Sequence, residues 1–109
     1  MKYPDGMSVS IVTVTYNPGD LLEPTMRSVA EQVDVHVDYV VVDGASKDGT
    51  VERLRAFGEQ VQGDQAPGER VHGGSLVYRW VSEPDRGLYD AMNKGLAMAT
   101  GDYVLFLNA

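Results

Sequence analysis

The groups able to do chemistry in this sequence fall directly after runs of apolar or β-branched residues: Thr15 and Tyr16, Asp43 and Ser46, Glu83 and Asp85, and Asn108. A carboxylate placed just beyond an apolar strand, as Asp43 is, can accept hydrogen bonds from ribose hydroxyls or a base N–H. The same residue serves equally well as a turn or helix-capping aspartate. Several strand ends bearing such groups at once point to a small polar ligand more firmly than any one of them does. The densest stretch is Ser82 to Gly95, a polar turn through Pro84-Asp85-Arg86-Gly87 that opens a helix carrying Tyr89, Asp90, Asn93 and Lys94. Asp90 and Lys94, four apart with the acid first, also suit an exposed ion pair.

Other chemistries are excluded or disfavoured. No cysteine is present, which removes disulfides, thiolate metal sites and cysteine nucleophiles. Neither G-x-G-x-x-G nor a P-loop follows the first strand, no G-x-S-x-G elbow occurs, and no histidine pair has metal-ligand spacing. His36 and His72 are given no role. A bound nucleotide would therefore need its phosphate charge managed another way, most simply by a divalent ion held by carboxylates.

The elements that must position these groups alternate. Ser8–Thr15 is rich in β-branched residues, the pattern of a strand covered on both faces. After the turn Tyr16-Asn17-Pro18-Gly19, Asp20 opens a helix with Glu23 as capping-box partner and Leu22, Met26, Val29, Ala30 and Val33 as its buried face. Val35 to Val42 is a second strand, closed by a loop with two Asp-Gly pairs and followed by a helix using Val51, Leu54 and Phe57. Residues 59–75, rich in Gly, Gln and charge, read as a mobile surface loop. Leu76 to Val81 is a third strand nearer an edge, with Trp80 in the core. Leu88, Ala91, Met92, Gly95, Leu96 and Ala99 then mark the buried stripe of a third helix. Tyr103 to Leu107 reads as a buried strand. The class is α/β, a mainly parallel sheet flanked by helices with right-handed crossovers. In such sheets ligands bind outside the carboxyl ends of the strands, where Thr15, Tyr16, Asp43, Ser46, Glu83, Asp85 and Asn108 are gathered.

With 109 residues, 43% hydrophobic and 23% charged, the chain is one domain or part of one. The net charge of -7 leaves no basic stripe, which speaks against nucleic acid and anionic membrane surfaces as partners. Met1 to Met7 lacks the apolar segment of a signal peptide, and no run approaches a membrane span. A cytoplasmic protein is expected, with peripheral attachment to the inner face of the membrane left open through a segment outside this sequence.

Four blocks carry a family resemblance: Ser10-Ile11-Val12-Thr13-Val14-Thr15-Tyr16-Asn17; Tyr39 to Thr50, with Asp43-Gly44-Ala45-Ser46-Lys47-Asp48-Gly49; Asp85 to Gly95; and Thr100 to Ala109. Together they resemble the N-terminal half of a glycosyltransferase family 2 enzyme of the GT-A fold, a Rossmann-like nucleotide-binding half. The resemblance implies that Thr15 and Tyr16 help hold the nucleotide base and that Asp43 hydrogen-bonds base or ribose. It further implies that Asp85, Arg86, Asp90 and Asn93 line the nucleotide-sugar pocket, although relatives often carry an arginine where this chain has Met92. Asn108-Ala109 resembles the first two positions of the D-x-D motif, which binds the divalent ion, Mg or Mn, bridging the donor diphosphate. By that pattern residues 1–109 are the donor-binding part of a longer domain, truncated at the motif, with no catalytic base and no metal site retained. The activity implied is sugar transfer from a nucleotide-diphosphate sugar to an acceptor hydroxyl, in polysaccharide biosynthesis. A noncatalytic α/β nucleotide-binding or interaction module is the alternative; a nucleotidyltransferase would call for a glycine-rich, basic first loop that Tyr16 to Asp20 does not supply.

Overall fold

The computed structural model describes residues 8–32, 35–63 and 75–109. Four parallel strands form one sheet: β1 (Ser8–Thr15), β2 (His36–Asp43), β3 (Ser75–Ser82) and β4 (Tyr103–Phe106), in the order β3-β2-β1-β4. Three helices connect them: α1 (Leu22–Ala30), entered through a 3-10 turn at Gly19–Leu21, α2 (Thr50–Gly63) and α3 (Leu88–Met98). The chain steps outward from β1 to β2 to β3, then α3 carries it back across the sheet to the far side of β1. That reversal is the topological switch point, where a crevice opens at the strand ends.

Strand alternation sorts the core into two layers. Val9, Val37, Tyr39, Val41, Leu76 and Tyr78 pack against Leu22, Met26, Val29, Leu54 and Phe57 of α1 and α2. Val12, Val14, Val40 and Val42 face Ala91 of α3. The polar atoms in the first layer are satisfied: Thr13 Oγ1 and Tyr39 Oη are 2.8 Å apart, and Tyr78 Oη donates to the Leu54 carbonyl at 2.9 Å. On the other face α3 lies flush on β1, because a Cβ at Gly95 would stand 2.3 Å from Val12 Cγ1. Gly95→Ala gains helix propensity but must push α3 off the sheet, and a net loss of about 1–2 kcal/mol in denaturant unfolding is expected. An unchanged midpoint would show that the helix can shift at no cost.

Several local expectations are corrected. The capping box at Asp20 and Glu23 is not formed; Pro18 already has helical backbone angles, its carbonyl accepts Leu21 N at 3.2 Å, and the chain enters α1 through the 3-10 turn instead. Helix α2 runs on through Glu59 to Gly63, since Gln and Glu are good helix formers and Val61 packs on the core. Residues 64–74, His72 among them, and Val33 lie outside the described residues. Strand β4 is not buried: it is the outer strand beyond β1, and Leu105 is 48% exposed. Leu88 and Leu96 of α3 are exposed for a related reason, the helix resting on β1 and β2 through Ala91 and Gly95. Trp80 is half-buried, with the Arg55 guanidinium 5.9 Å from its ring centroid. Among the described residues no helix is long and apolar enough to cross a membrane.

At the amino-terminal end of the strands, Asp38 is buried on the α3 face. It pairs with Arg79 at 2.9 Å and accepts hydrogen bonds from Ser10 Oγ, Thr100 N and Thr100 Oγ1. Arg79 also donates to the Met98 carbonyl at 2.6 Å, and Ser10 Oγ accepts from the Thr100 and Gly101 amides. Three strands, β1, β2 and β3, and the end of α3 are thus tied at one buried charge. Burial alone would raise the Asp38 carboxyl, but the hydrogen bonds from Arg79, Ser10 and Thr100 outweigh it and hold the group below the usual range.

Candidate functional site

Parallel register brings Thr15, Asp43 and Ser82 side by side at the carboxyl ends of β1, β2 and β3. Asp43 is the junction of these ends. Its Oδ2 accepts from Ser46 N at 2.9 Å and Ser82 Oγ at 2.8 Å, its Oδ1 accepts from Ser46 Oγ, and its own carbonyl accepts Glu83 N at 2.9 Å. The side chain is 0% exposed. Asp43 therefore lies beneath the surface, fixing the β2–α2 loop to the end of β3.

That loop is tied in turn to the one after β1. Asn17 N donates to Ser46 Oγ and Lys47 N to Asn17 Oδ1, while Gly19 N donates to Asp48 and Arg53 to the Gly19 carbonyl. Asn17 and Ala45 take positive φ, 45° and 64°, a conformation disfavoured for residues with a side chain. The Asp48 carboxyl is held below its usual range, chiefly by the hydrogen bond from the Thr50 hydroxyl.

The third loop is a compact clip. Asp85 Oδ1 accepts Gly87 N at 3.0 Å, and Gly87, at φ 113°, opens α3. Asp90 Oδ2 accepts Arg86 N at 2.9 Å, and Lys94 Nζ reaches the Pro84 carbonyl at 3.0 Å, Glu83 at 3.2 Å and Asp90 at 3.6 Å. The Arg86 amide is the main reason the Asp90 carboxyl sits below its ordinary value. Burial would lower Lys94, but its bond to Glu83 and the surrounding carboxylates raise it overall.

Between this clip and the end of β1 lies a cavity of about 350 Å³, lined by Val14, Thr15 and Tyr16, by Asp85, Gly87, Leu88 and Ala91, and by Asn108 and Ala109 beyond β4. It occupies the switch point between β1 and β4. Thr15 is 6% exposed and its Oγ1 has no hydrogen-bond partner among the described residues. A buried hydroxyl left unpaired beside a cavity is a feature that a ligand would satisfy. Tyr16, 61% exposed, offers an open ring at the rim. The structure thus brings Thr15, Tyr16 and Asp85 together at one cavity. Asp43 lies buried beneath the rim, Asp90 belongs to the clip, and Arg86 and Asn93 are exposed outside the cavity lining. Two other hollows, of about 480 and 380 Å³, follow the α1 and α2 surfaces and include no strand residue; the orphan hydroxyl and the switch-point geometry favour the smaller cavity.

Sequence reasoning passed over Ser82 as a partner of Asp43, and it missed Gly44. A Cβ at Gly44 would meet Asp85 Oδ2 at 2.8 Å and Tyr16 Cδ1 at 3.4 Å. Among the described residues no three His, Cys, Asp or Glu side chains gather to hold a metal ion. The described residues therefore do not by themselves fit a divalent-cation site.

A parallel sheet with a ligand-sized cleft at its switch point defines an α/β fold of the kind that takes ligands at its strand ends. Comparison with known proteins makes this specific: residues 10–109 match the model of glycosyl transferase family 2, and the chain belongs to that family. An uncharacterized glycosyltransferase of Mycobacterium tuberculosis is 37% identical over 103 residues, covering 94% of this chain and 33% of that protein. A PGL/p-HBAD biosynthesis glycosyltransferase of Mycobacterium bovis is 35% identical over 100 residues, covering 92% of this chain and 34% of its own length. The chain thus spans about a third of these relatives. Among solved structures, a mannosyltransferase from Pyrobaculum calidifontis in complex with GDP-Man and Mn2+ superposes with a TM-score of 0.76 at 30% identity, over 94% of this chain and 27% of that one. TarS of S. aureus, at 22% identity and a TM-score of 0.67 over 94% of this chain and 16% of its own, shares the fold. The architecture is that of the Rossmann-like, GT-A half expected from the sequence.

Proposed function

We propose that the whole protein transfers a sugar from a nucleotide-diphosphate sugar to an acceptor hydroxyl, and that this chain supplies much of the donor pocket. The observation that carries the reading is the switch-point cavity, whose lining includes Thr15, a residue with a buried hydroxyl unpartnered among the described residues. Tyr16 provides a face for the base, Thr15 a hydrogen bond, and Asp85 an acceptor at the opposite lip. Asp43, Asp90 and Lys94 hold the loops that carry these groups, and Arg86 and Asn93 stand just outside, toward the rest of the donor. The mannosyltransferase complex with GDP-Man and Mn2+ supports a nucleotide-sugar donor and a divalent ion, Mg or Mn, in the whole protein. By the same reading the protein works in the cytoplasm, where nucleotide sugars are consumed. The 109-residue chain alone is expected to bind nucleotide weakly and to transfer no sugar, since transfer calls for a cation held by several ligands and no three His, Cys, Asp or Glu side chains gather among the described residues.

Titration of the full-length protein with a panel of nucleotide-diphosphate sugars, with and without Mn or Mg, tests this. Binding of at least one donor, strengthened by the ion, is expected; no binding across the panel would refute it. Thr15→Val keeps the shape of the side chain and removes the hydroxyl. It is expected to weaken the best donor by about 0.5–1.5 kcal/mol while thermal stability stays level or rises, because a buried orphan has been removed. Tyr16→Ala should cost more, about 1–3 kcal/mol of affinity, if the ring stacks on the base.

A further inference from the structure

We propose that the two walls of the switch-point cavity are fixed unequally, that the turn from Glu83 to Gly87 is the adjustable one, and that Lys94 is the positioning residue that sets it. This rests on the donor-pocket reading above and deepens it. One wall is braced by bonds between loops. Gly44 N donates to the Thr15 carbonyl at 3.0 Å, and the loops after β1 and β2 are joined by Asn17 N to Ser46, Lys47 N to Asn17, Gly19 N to Asp48 and Arg53 to the Gly19 carbonyl. The facing wall is made by Asp85, Gly87 and Leu88. It is anchored at its base, where Glu83 N donates to the Asp43 carbonyl at 2.9 Å. Beyond that point its backbone amides bond locally, Gly87 N to Asp85 and Arg86 N to Asp90. Asp85 rests against Gly44 by packing alone.

Lys94, in the second turn of α3, closes this wall. Its ammonium has three oxygens around it: the Pro84 carbonyl at 3.0 Å, Glu83 Oε1 at 3.2 Å and Asp90 Oδ2 at 3.6 Å. The last of these also accepts Arg86 N. Among the described residues no other side chain of α3 bonds to Glu83 or Pro84, so the link from the body of the helix to the start of the turn runs through Lys94. Glu83, Asp85 and Asp90 all act on its charge. With the ammonium gone these carboxylates repel one another and the turn opens. The Lys94 side chain is 26% exposed and both carboxylate partners are more so, which makes the brace weak in its effect on global stability. It fixes where the turn stands.

The test uses the full-length protein, with amide hydrogen exchange in the absence of ligand and calorimetric titration with GDP-mannose, UDP-glucose and UDP-N-acetylglucosamine, each with Mn2+. Lys94→Met keeps an unbranched side chain on the helix and removes the ammonium. The Arg86 and Gly87 amides are then expected to exchange about threefold faster or more, while those of Asn17, Gly19 and Lys47 keep their rates. The tightest of the three sugars should bind about three- to tenfold more weakly, because the turn must be ordered on binding. The melting temperature should stay near that of the unaltered protein. Lys94→Arg keeps a cation with N–H donors and should restore most of both the protection and the affinity.

Weaker binding with unchanged exchange at Arg86 and Gly87 would make Lys94 a charge acting on the ligand from a distance and overturn the inference. Faster exchange with unchanged affinity would make the brace purely structural and do the same. Faster exchange spread equally over Asn17, Gly19 and Lys47 would refute the contrast between the walls. If no sugar nucleotide binds even the unaltered protein, the donor-pocket reading falls and this inference with it; binding that is indifferent to Lys94 removes the inference alone.

Discussion

Asp38→Ala is expected to lower the free energy of unfolding by about 3 kcal/mol at neutral pH, the low end for breaking a buried ion pair because Arg79 is partly exposed. The substitution strands Arg79 and removes the acceptor for Ser10 Oγ and for the amide and hydroxyl of Thr100. Its pH dependence follows from the sign of the shift. The folded carboxyl lies below its unfolded value of about 3.9, so the stabilisation is fully present above that value and is lost as pH falls through the lower, folded pKa. Denaturant unfolding of the unaltered and Asp38→Ala proteins should therefore diverge at neutral pH and converge in acid. A constant difference down to about pH 2 would show that the effect is packing alone. On the alkaline side burial pushes Tyr39 up to about 12, and Tyr78 is raised further by burial and by Tyr39. Their contribution is complete below about pH 10 and is lost as pH rises through the folded values.

The second large effect is expected at Asp43, and it should appear in stability and binding together. Asp43→Ala leaves Ser46 N, Ser46 Oγ and Ser82 Oγ without their acceptor, at a cost of about 2–4 kcal/mol. The released β2–α2 loop carries Gly44, and through Ser46 it holds Asn17 next to Tyr16. Donor affinity in the full-length protein should then fall by about tenfold or more even though Asp43 does not line the cavity. Calorimetry beside a thermal melt separates the alternatives. A loss of affinity with an unchanged melting temperature would mean that Asp43 touches the nucleotide itself.

The legible and illegible parts of this molecule divide along a physical line. Strand β2 could be read because the uninterrupted run Tyr39-Val40-Val41-Val42 needs cover on both faces, and the loop after it because Asp-Gly pairs favour tight turns. A crevice at the strand ends followed from the alternation of elements, and a cavity lies there. Exposure of β4 could not be read: its composition is that of an inner strand, and only the order β3-β2-β1-β4 places it outside. Asp38 and Arg79 stand out as charges in apolar strands, yet nothing in the one-dimensional pattern aligns them without the register of β2 and β3. The opposite roles of Asp43 and Asp85 were equally hidden. Both are aspartates after a strand, and what distinguishes them is the pair of serines that closes over one and the bare Cα that leaves room for the other.

Helix α3 is fastened by unlike means at its two ends. Near Thr100 it is moored to a shielded charge that salt reaches poorly; near Asp85 it is moored by Lys94 and its neighbours, in contact with water. Ionic strength therefore weakens the Lys94 mooring more than the one at Asp38. In concentrated salt the mouth of the cleft would loosen while the fold as a whole kept its melting point.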